Sequence, residues 1–163
     1  LYNAYNALAA IALAFELGLN QAEIQNALDS FKSIFGRAEK RVINGQQALI
    51  QLIKNPTGAS EVLKTVDLRS NIVIAINDNY ADGRDISWLW DSDFEQLKNA
   101  EKLVITSGIR AADMAVRLKY AGIPQEKIIV EPSIKKAIEL AAQDKITILP
   151  SYTALLKINK MKL

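Results

Sequence analysis

The stretch of this 163-residue sequence best equipped to do chemistry is Asn77-Asp78-Asn79-Tyr80-Ala81-Asp82-Gly83-Arg84-Asp85-Ile86-Ser87-Trp88-Leu89-Trp90-Asp91. Carboxylates at this density can orient a histidine, cap backbone or hold a hard cation. A calcium loop is the obvious competitor, because Asp78, Asp82 and Gly83 fall at its first, fifth and sixth positions. Its third position is Tyr80 and its twelfth Leu89, neither of which ligates calcium, so no metal site is expected. Asp78 directly follows a probable strand and can cap the turn through Asn79. Asp82 precedes Gly83 in an Asp-Gly turn and should bond local backbone. Asp91 and Asp93 lead into a helix around residues 94–99 and suit N-capping, Asp93 the better. Asp85 has no evident local task. Both tryptophans of the chain lie here, and alternation would turn one inward and leave the other for a partner. A partner surface made of Asp78, Asp82, Trp88 and Trp90 is therefore expected, with a plain solvated acidic turn anchored by core tryptophans as the alternative.

Two further stretches sit where chain feeds into an element. Phe35-Gly36-Arg37-Ala38-Glu39 is a Gly-Arg turn before a strand, and Arg37 offers a fixed fork of donors to phosphate or carboxylate. A surface pairing of Arg37 with Glu39 is the alternative. Lys54-Asn55-Pro56-Thr57-Gly58 places an N-cap, a proline suited to the first helical position and a flanking cation together, a possible anion seat or simply a capped helix. Neither GxxxxGK[ST] nor GxGxxG occurs.

Composition narrows the chemistry. With no Cys there is no thiolate nucleophile, disulfide or zinc–thiolate site, and with no His the usual base of a Ser or Cys hydrolase is absent. A self-contained hydrolase is not expected; a binding domain or half of a shared site fits. Net charge is only +2, yet residues 78–95 hold six acids and one base while the rest holds nineteen bases and twelve acids. Such a loop repels phosphate backbones and favours a basic partner surface.

The elements that must position these residues read as α/β. Helices are expected over residues 2–17, closed by Gly18, and 21–31, capped by Asn20. A hairpin turning at Asn44-Gly45 follows over 41–54. Helix 56–66, strand 71–76, strand 102–106, helix 110–121, strand 127–130, helix 133–143, strand 145–149 and helix 152–159 complete the alternation. That order gives a Rossmann-like, mainly parallel sheet flanked by helices, with ligands at the carboxyl ends of its strands. A start at Leu1 inside an apparent helix suggests a piece of a longer protein.

Taken in register, these stretches resemble the C-terminal domain of MurT-type Mur ligases. Asn3-Ala4-Tyr5-Asn6-Ala7-Leu8-Ala9-Ala10 resembles the helix with which Mur ligases leave their central ATPase domain, and Phe35-Gly36-Arg37 the Gly-Arg element that opens the C-terminal domain. Gln51-Leu52-Ile53-Lys54-Asn55-Pro56 departs from the usual Asp-Tyr-Ala-His-Asn-Pro, with Gln51 replacing the ribose-binding Asp. It follows the MurT branch, as do Glu61-Val62-Leu63, the acidic run, Ser107-Gly108 through Leu118, and Tyr152 through Leu156. The resemblance implies residues 1–34 as the helical end of the central domain and 35–163 as the C-terminal domain. It implies a cytoplasmic complex with a GatD-type glutaminase that amidates the α-carboxyl of D-glutamate in lipid II, using ATP and Mg2+ held in the full subunit. Arg37, Lys54, Asn55, Asn3 and Asn6 are its implied nucleotide contacts. An Asp lent to the glutaminase's Cys–His pair is also implied, placed at Asp85 with Asp82 second. A non-catalytic domain docking through the acidic loop and a lone nucleotide-sensing domain remain as alternatives.

Overall fold

Strand-forming runs of β-branched residues alternate with capped amphipathic helices, and the chain divides accordingly. The computed structural model describes residues 2–31 and 35–161. Contacts separate two compact units, Leu1–Ser33 and Ile34–Leu163.

The first unit is a helical pair. Helix α1 (Tyr2–Glu16) ends at Gly18, whose φ of +85° suits a glycine. Helix α2 (Gln21–Ser30) opens with a capping box: Asn20 accepts from the Glu23 amide and Glu23 accepts from the Asn20 amide.

In the second unit the hairpin β1 (Glu39–Ile43) and β2 (Gln46–Ile50) turns on Asn44 and Gly45, both at positive φ as a two-residue primed turn requires. Next come α3 (Pro56–Leu63), β3 (Asn71–Ala75), β4 (Val104–Ser107), α4 (Ala111–Tyr120), β5 (Ile128–Val130), α5 (Ile134–Ala141), β6 (Ile146–Pro150) and α6 (Tyr152–Asn159). The sheet order is β1-β2-β6-β3-β4-β5, antiparallel only between β1 and β2. Every residue of β3, β4 and β6 is buried, because helices cover both faces. Side chains of α3 and α4 pack with Ile72, Ile74 and Ile76 on one face. Those of α5 and α6 pack with Val73, Ala75 and Ile148 on the other.

The expected Rossmann-like architecture is the observed one, and two local expectations are corrected. The helix around 94–99 is a short 3-10 turn, Phe94–Leu97, and Asp93 does not cap it; its carboxylate accepts from the Gln96 side chain instead. The tryptophans do not alternate along an extended segment. They flank Leu89 across the 3-10 turn Ser87–Leu89, which still leaves Trp88 packed on the core and Trp90 55% exposed.

Candidate functional site

The register of the sheet gathers the singled-out residues on one edge. Ala75 pairs with both Pro150 and Ser107, so β3, β6 and β4 end at the same level. Strand β2 runs parallel to β6, with the Ile53 amide donating to the Pro150 carbonyl, and Lys54 follows at that edge. Because β1 is antiparallel to β2, the turn before β1 returns there too: the Leu52 amide donates to the Gly36 carbonyl. This carboxyl edge is where open α/β sheets place ligands.

At its centre the chain after β3 is tied down by hydrogen bonds. The Asn77 amide donates to Ser151 Oγ at 3.0 Å, its Nδ2 to Thr153 Oγ1 at 2.9 Å, and its Oδ1 accepts from the Ile109 amide at 3.0 Å. One buried side chain thereby joins the ends of β3, β4 and β6. Gly108 makes that approach possible. Its φ is +86°, and a Cβ would lie 2.5 Å from the Ile76 carbonyl oxygen and 2.8 Å from Asn77 Oδ1. Gly108→Ala is expected to destabilise the chain by about 3 kcal/mol, combining left-handed strain with overpacking. Gly122→Ala, also at positive φ but with nothing within 4 Å of a Cβ, should lose only the strain part, about 1 kcal/mol. Urea unfolding of the two variants reads the difference.

The acids have distinct environments. Asp78 is buried and does not cap the turn through Asn79; it pairs with Arg110 at 2.6 Å, and that guanidinium holds its carboxyl below the usual aspartate range. The ion pair therefore stabilises the fold above the ordinary Asp pKa and loses that contribution as pH falls through the lowered native value. Asp78→Asn should flatten the acid limb of a stability-versus-pH curve, a change that thermal melts in acidic buffers would detect. Asp82 is used on both oxygens: Oδ1 accepts from the Thr153 amide at 2.7 Å, while Oδ2 accepts from Thr153 Oγ1 at 2.6 Å and the Asn79 amide at 3.1 Å. It bonds local backbone as expected and also satisfies a free amide in the first turn of α6.

Asp85 is exposed, but the expectation that it has no local task is corrected. Its Oδ1 accepts from the Ser87 amide at 2.8 Å, an Asx turn that starts the 3-10 turn. The Ser87 N–H and, after it, the Ser87 side chain hold the carboxyl's pKa below the usual aspartate range, and the amide occupies only Oδ1. Of the expected partner surface, Trp90 is outward while Asp78 is buried and Trp88 half-buried.

The Arg37–Glu39 pairing is also corrected. Glu39 accepts from the Gly36 amide at 3.0 Å and from Arg41 Nε at 2.7 Å. Exposed Arg37 and Lys54 make no ion pair among the described residues. Asn55 spends its side chain on the Gly58 amide at 2.8 Å, capping α3. Gln51 is buried, with Nε2 3.4 Å from Thr65 Oγ1, so its amide is turned into the structure. Asn6 is exposed in the first unit, and the side chain of Asn3 lies outside the described residues.

A cleft of about 410 Å³ opens on the carboxyl edge, bounded by Asn77, Asn79, Gly108, Ile109, Thr153 and Lys157. Lys157 was not singled out from sequence; its i+4 spacing from Thr153 on one helix was the available signal. Among the described residues no group of three or more His, Cys, Asp or Glu is placed to hold a metal, and no helix is long and apolar enough to cross a membrane.

A profile of the MurT ligase C-terminal family matches residues 52–155, the span from the end of β2 into α6. The chain belongs to that family. It is 38% identical over 168 residues to the MurT subunit of lipid II isoglutaminyl synthase (glutamine-hydrolyzing) of Streptococcus pneumoniae, covering 99% of this chain and 38% of that protein. The corresponding Staphylococcus aureus subunit is 39% identical over 160 residues, covering 94% of this chain and 36% of that protein. The fold is that of MurF from Acinetobacter baumannii, with a TM-score of 0.68 at 18% identity over 96% of this chain and 36% of that one. The family and fold implied by the sequence stretches are thus the ones found. The chain spans well under half the length of these relatives.

Proposed function

We propose that this chain is the C-terminal domain of the ligase subunit of a glutamine-hydrolysing complex that amidates lipid II. The observation that carries the proposal is the family match together with a carboxyl edge that presents two cations without an ion pair among the described residues and, on a separate loop, one exposed carboxylate. The longer subunit acts with a GatD-type glutaminase in the cytoplasm, at the membrane face where lipid II is exposed.

The residues divide the work between two places. Arg37 and Lys54 approach the phosphates of a nucleotide held mainly by the upstream part of the subunit, with Asn55, Asn3 and Asn6 as weaker contacts. The cations fit that role because no acid among the described residues neutralises them. ATP, with Mg2+, supplies the phosphoryl group that activates the α-carboxyl of D-glutamate for attack by ammonia. Asp85 serves the partner: the oxygen not bonded to Ser87 accepts the N–H of the glutaminase's histidine, fixing its tautomer and stabilising the imidazolium formed when the cysteine thiol is deprotonated. Asp82 is the second candidate, with three hydrogen bonds already made.

Lacking thiol, imidazole and phosphate loop, residues 1–163 alone should turn over neither ATP nor glutamine. The full subunit with its glutaminase should consume both in the presence of lipid II. Coupled assays for phosphate and glutamate test this, and turnover of either substrate by the isolated chain would contradict it.

A further inference from the structure

The acidic loop does not end at Asp85. It continues into an apolar patch shared with the outward face of α4. Trp90 is 55% exposed and meets Tyr120, itself 73% exposed, edge to face with ring centroids 5.7 Å apart. Val116, one turn before Tyr120, is 48% exposed. Beside them a pocket of about 210 Å³ is lined by Ile86, Leu89, Trp90, Ala112, Asp113 and Val116. Ala112, Val116 and Tyr120 follow i, i+4, i+8 spacing, an apolar stripe on the side of α4 away from Met114 and Leu118, which are fully buried. The patch is held rigidly. Arg117 is buried beneath it, donating to the Leu89 and Ser92 carbonyls at 2.9 and 2.8 Å and to Glu95 at 2.8 Å, with its guanidinium carbon 5.6 Å from the Trp90 ring centre.

A stiff aromatic anchor beside an apolar pocket, with acids nearby, is how interface centres are built. The geometry points to this Trp90–Val116–Tyr120 patch as the main docking surface for the glutaminase subunit, an inference that rests on the function proposed above. Two observations select that occupant. Ile86 and Trp90 belong to the same loop as Asp85, so a chain whose histidine reaches Asp85 must cover them. A stable complex also buries about 800 Å² per partner, more than a single loop tip supplies, and the α4 face is the adjoining apolar area. The rim sets the partner's chemistry. Asp85 and Asp91 are exposed beside the patch, while Asp113 already pairs with Arg110 at 3.5 Å, so the matching face carries an apolar side chain for the pocket and a basic group where it meets Asp85 and Asp91.

The test uses the full-length subunit and its glutaminase. Val116→Asp and Tyr120→Ala both lie at exposed helix positions and leave the core untouched. Leu140→Asp, at a 47% exposed position on α5 across the sheet, is the control. Calorimetric titration should show Val116→Asp weakening the complex about 30-fold or more and Tyr120→Ala about tenfold, with Leu140→Asp unchanged. Ammonium-supported amidation should stay at the wild-type rate in all three. Wild-type affinity in both patch variants overturns the inference while leaving the proposed function standing. So does loss of self-association in the ultracentrifuge with glutaminase binding intact, which would assign the patch to a second copy of the subunit. Failure of the wild-type subunit to bind the glutaminase at all overturns both.

Discussion

Replacing Asp85 by Asn in the full subunit is expected to cut glutamine hydrolysis by the assembled complex about ten-thousandfold, the scale on which a histidine held in the wrong tautomer loses activity. The substitution keeps the side chain's shape and its acceptor oxygen, so the Ser87 amide can stay bonded and the 3-10 turn can persist. What it removes is the second carboxylate oxygen, which the Ser87 amide does not occupy. Complex formation should survive, and so should amidation fed with ammonium, because Arg37 and Lys54, the proposed nucleotide contacts, lie on other loops of the sheet edge. Asp82→Asn should behave differently. It withdraws charge from an oxygen that accepts from the Thr153 amide or hydroxyl, so the loop loosens and the melting temperature falls, with a smaller loss of glutamine hydrolysis. Normal hydrolysis in Asp85→Asn with hydrolysis abolished in Asp82→Asn would move the assignment to Asp82. Normal hydrolysis in both would remove the shared catalytic group from this loop.

The second large effect is expected at Arg37. Its neighbour Glu39 is already bonded to Arg41 and to the Gly36 amide, so nothing in the turn competes for the guanidinium. If Arg37 meets phosphate, Arg37→Ala forfeits a charge-assisted hydrogen bond of about 1.5–3 kcal/mol, roughly ten- to a hundredfold in ATP-dependent turnover. Lys40→Ala, on an exposed residue of β1, should leave turnover unchanged. Initial rates across an ATP series separate the two variants, and wild-type kinetics in Arg37→Ala would make it an ordinary surface residue.

What could be read from sequence was whatever is decided within a few residues. The β-branched run at 71–76 announced a doubly covered strand, Asn44-Gly45 its hairpin, and Asn20 and Asn55 their caps, because each is fixed by local sterics and hydrogen bonding. Contacts made across the sheet were not readable. Asp78 is paired through Arg110 and Asp82 is held through Thr153, partners brought close only by the parallel register. The same limit hid the cleft at Lys157 and the Trp90–Tyr120 contact. Asp85 is a different case. Its bond to the Ser87 amide spans two residues, and an Asp two positions before a Ser at the head of a turn was a visible Asx signal. The short 3-10 turns escaped because their apolar spacing over a few residues resembles the opening of an α-helix.

The central claim is that this domain belongs to a subunit that moves glutamine nitrogen onto lipid II. It is tested most directly by supplying the full subunit, its glutaminase, ATP and lipid II with glutamine carrying heavy nitrogen at the side-chain amide, then fragmenting the product in a mass spectrometer. The account predicts the heavy nitrogen as a carboxamide on the α-carbon of D-glutamate, formed only when ATP is present. Lipid II recovered without the label, or labelled at another carboxyl, would contradict it.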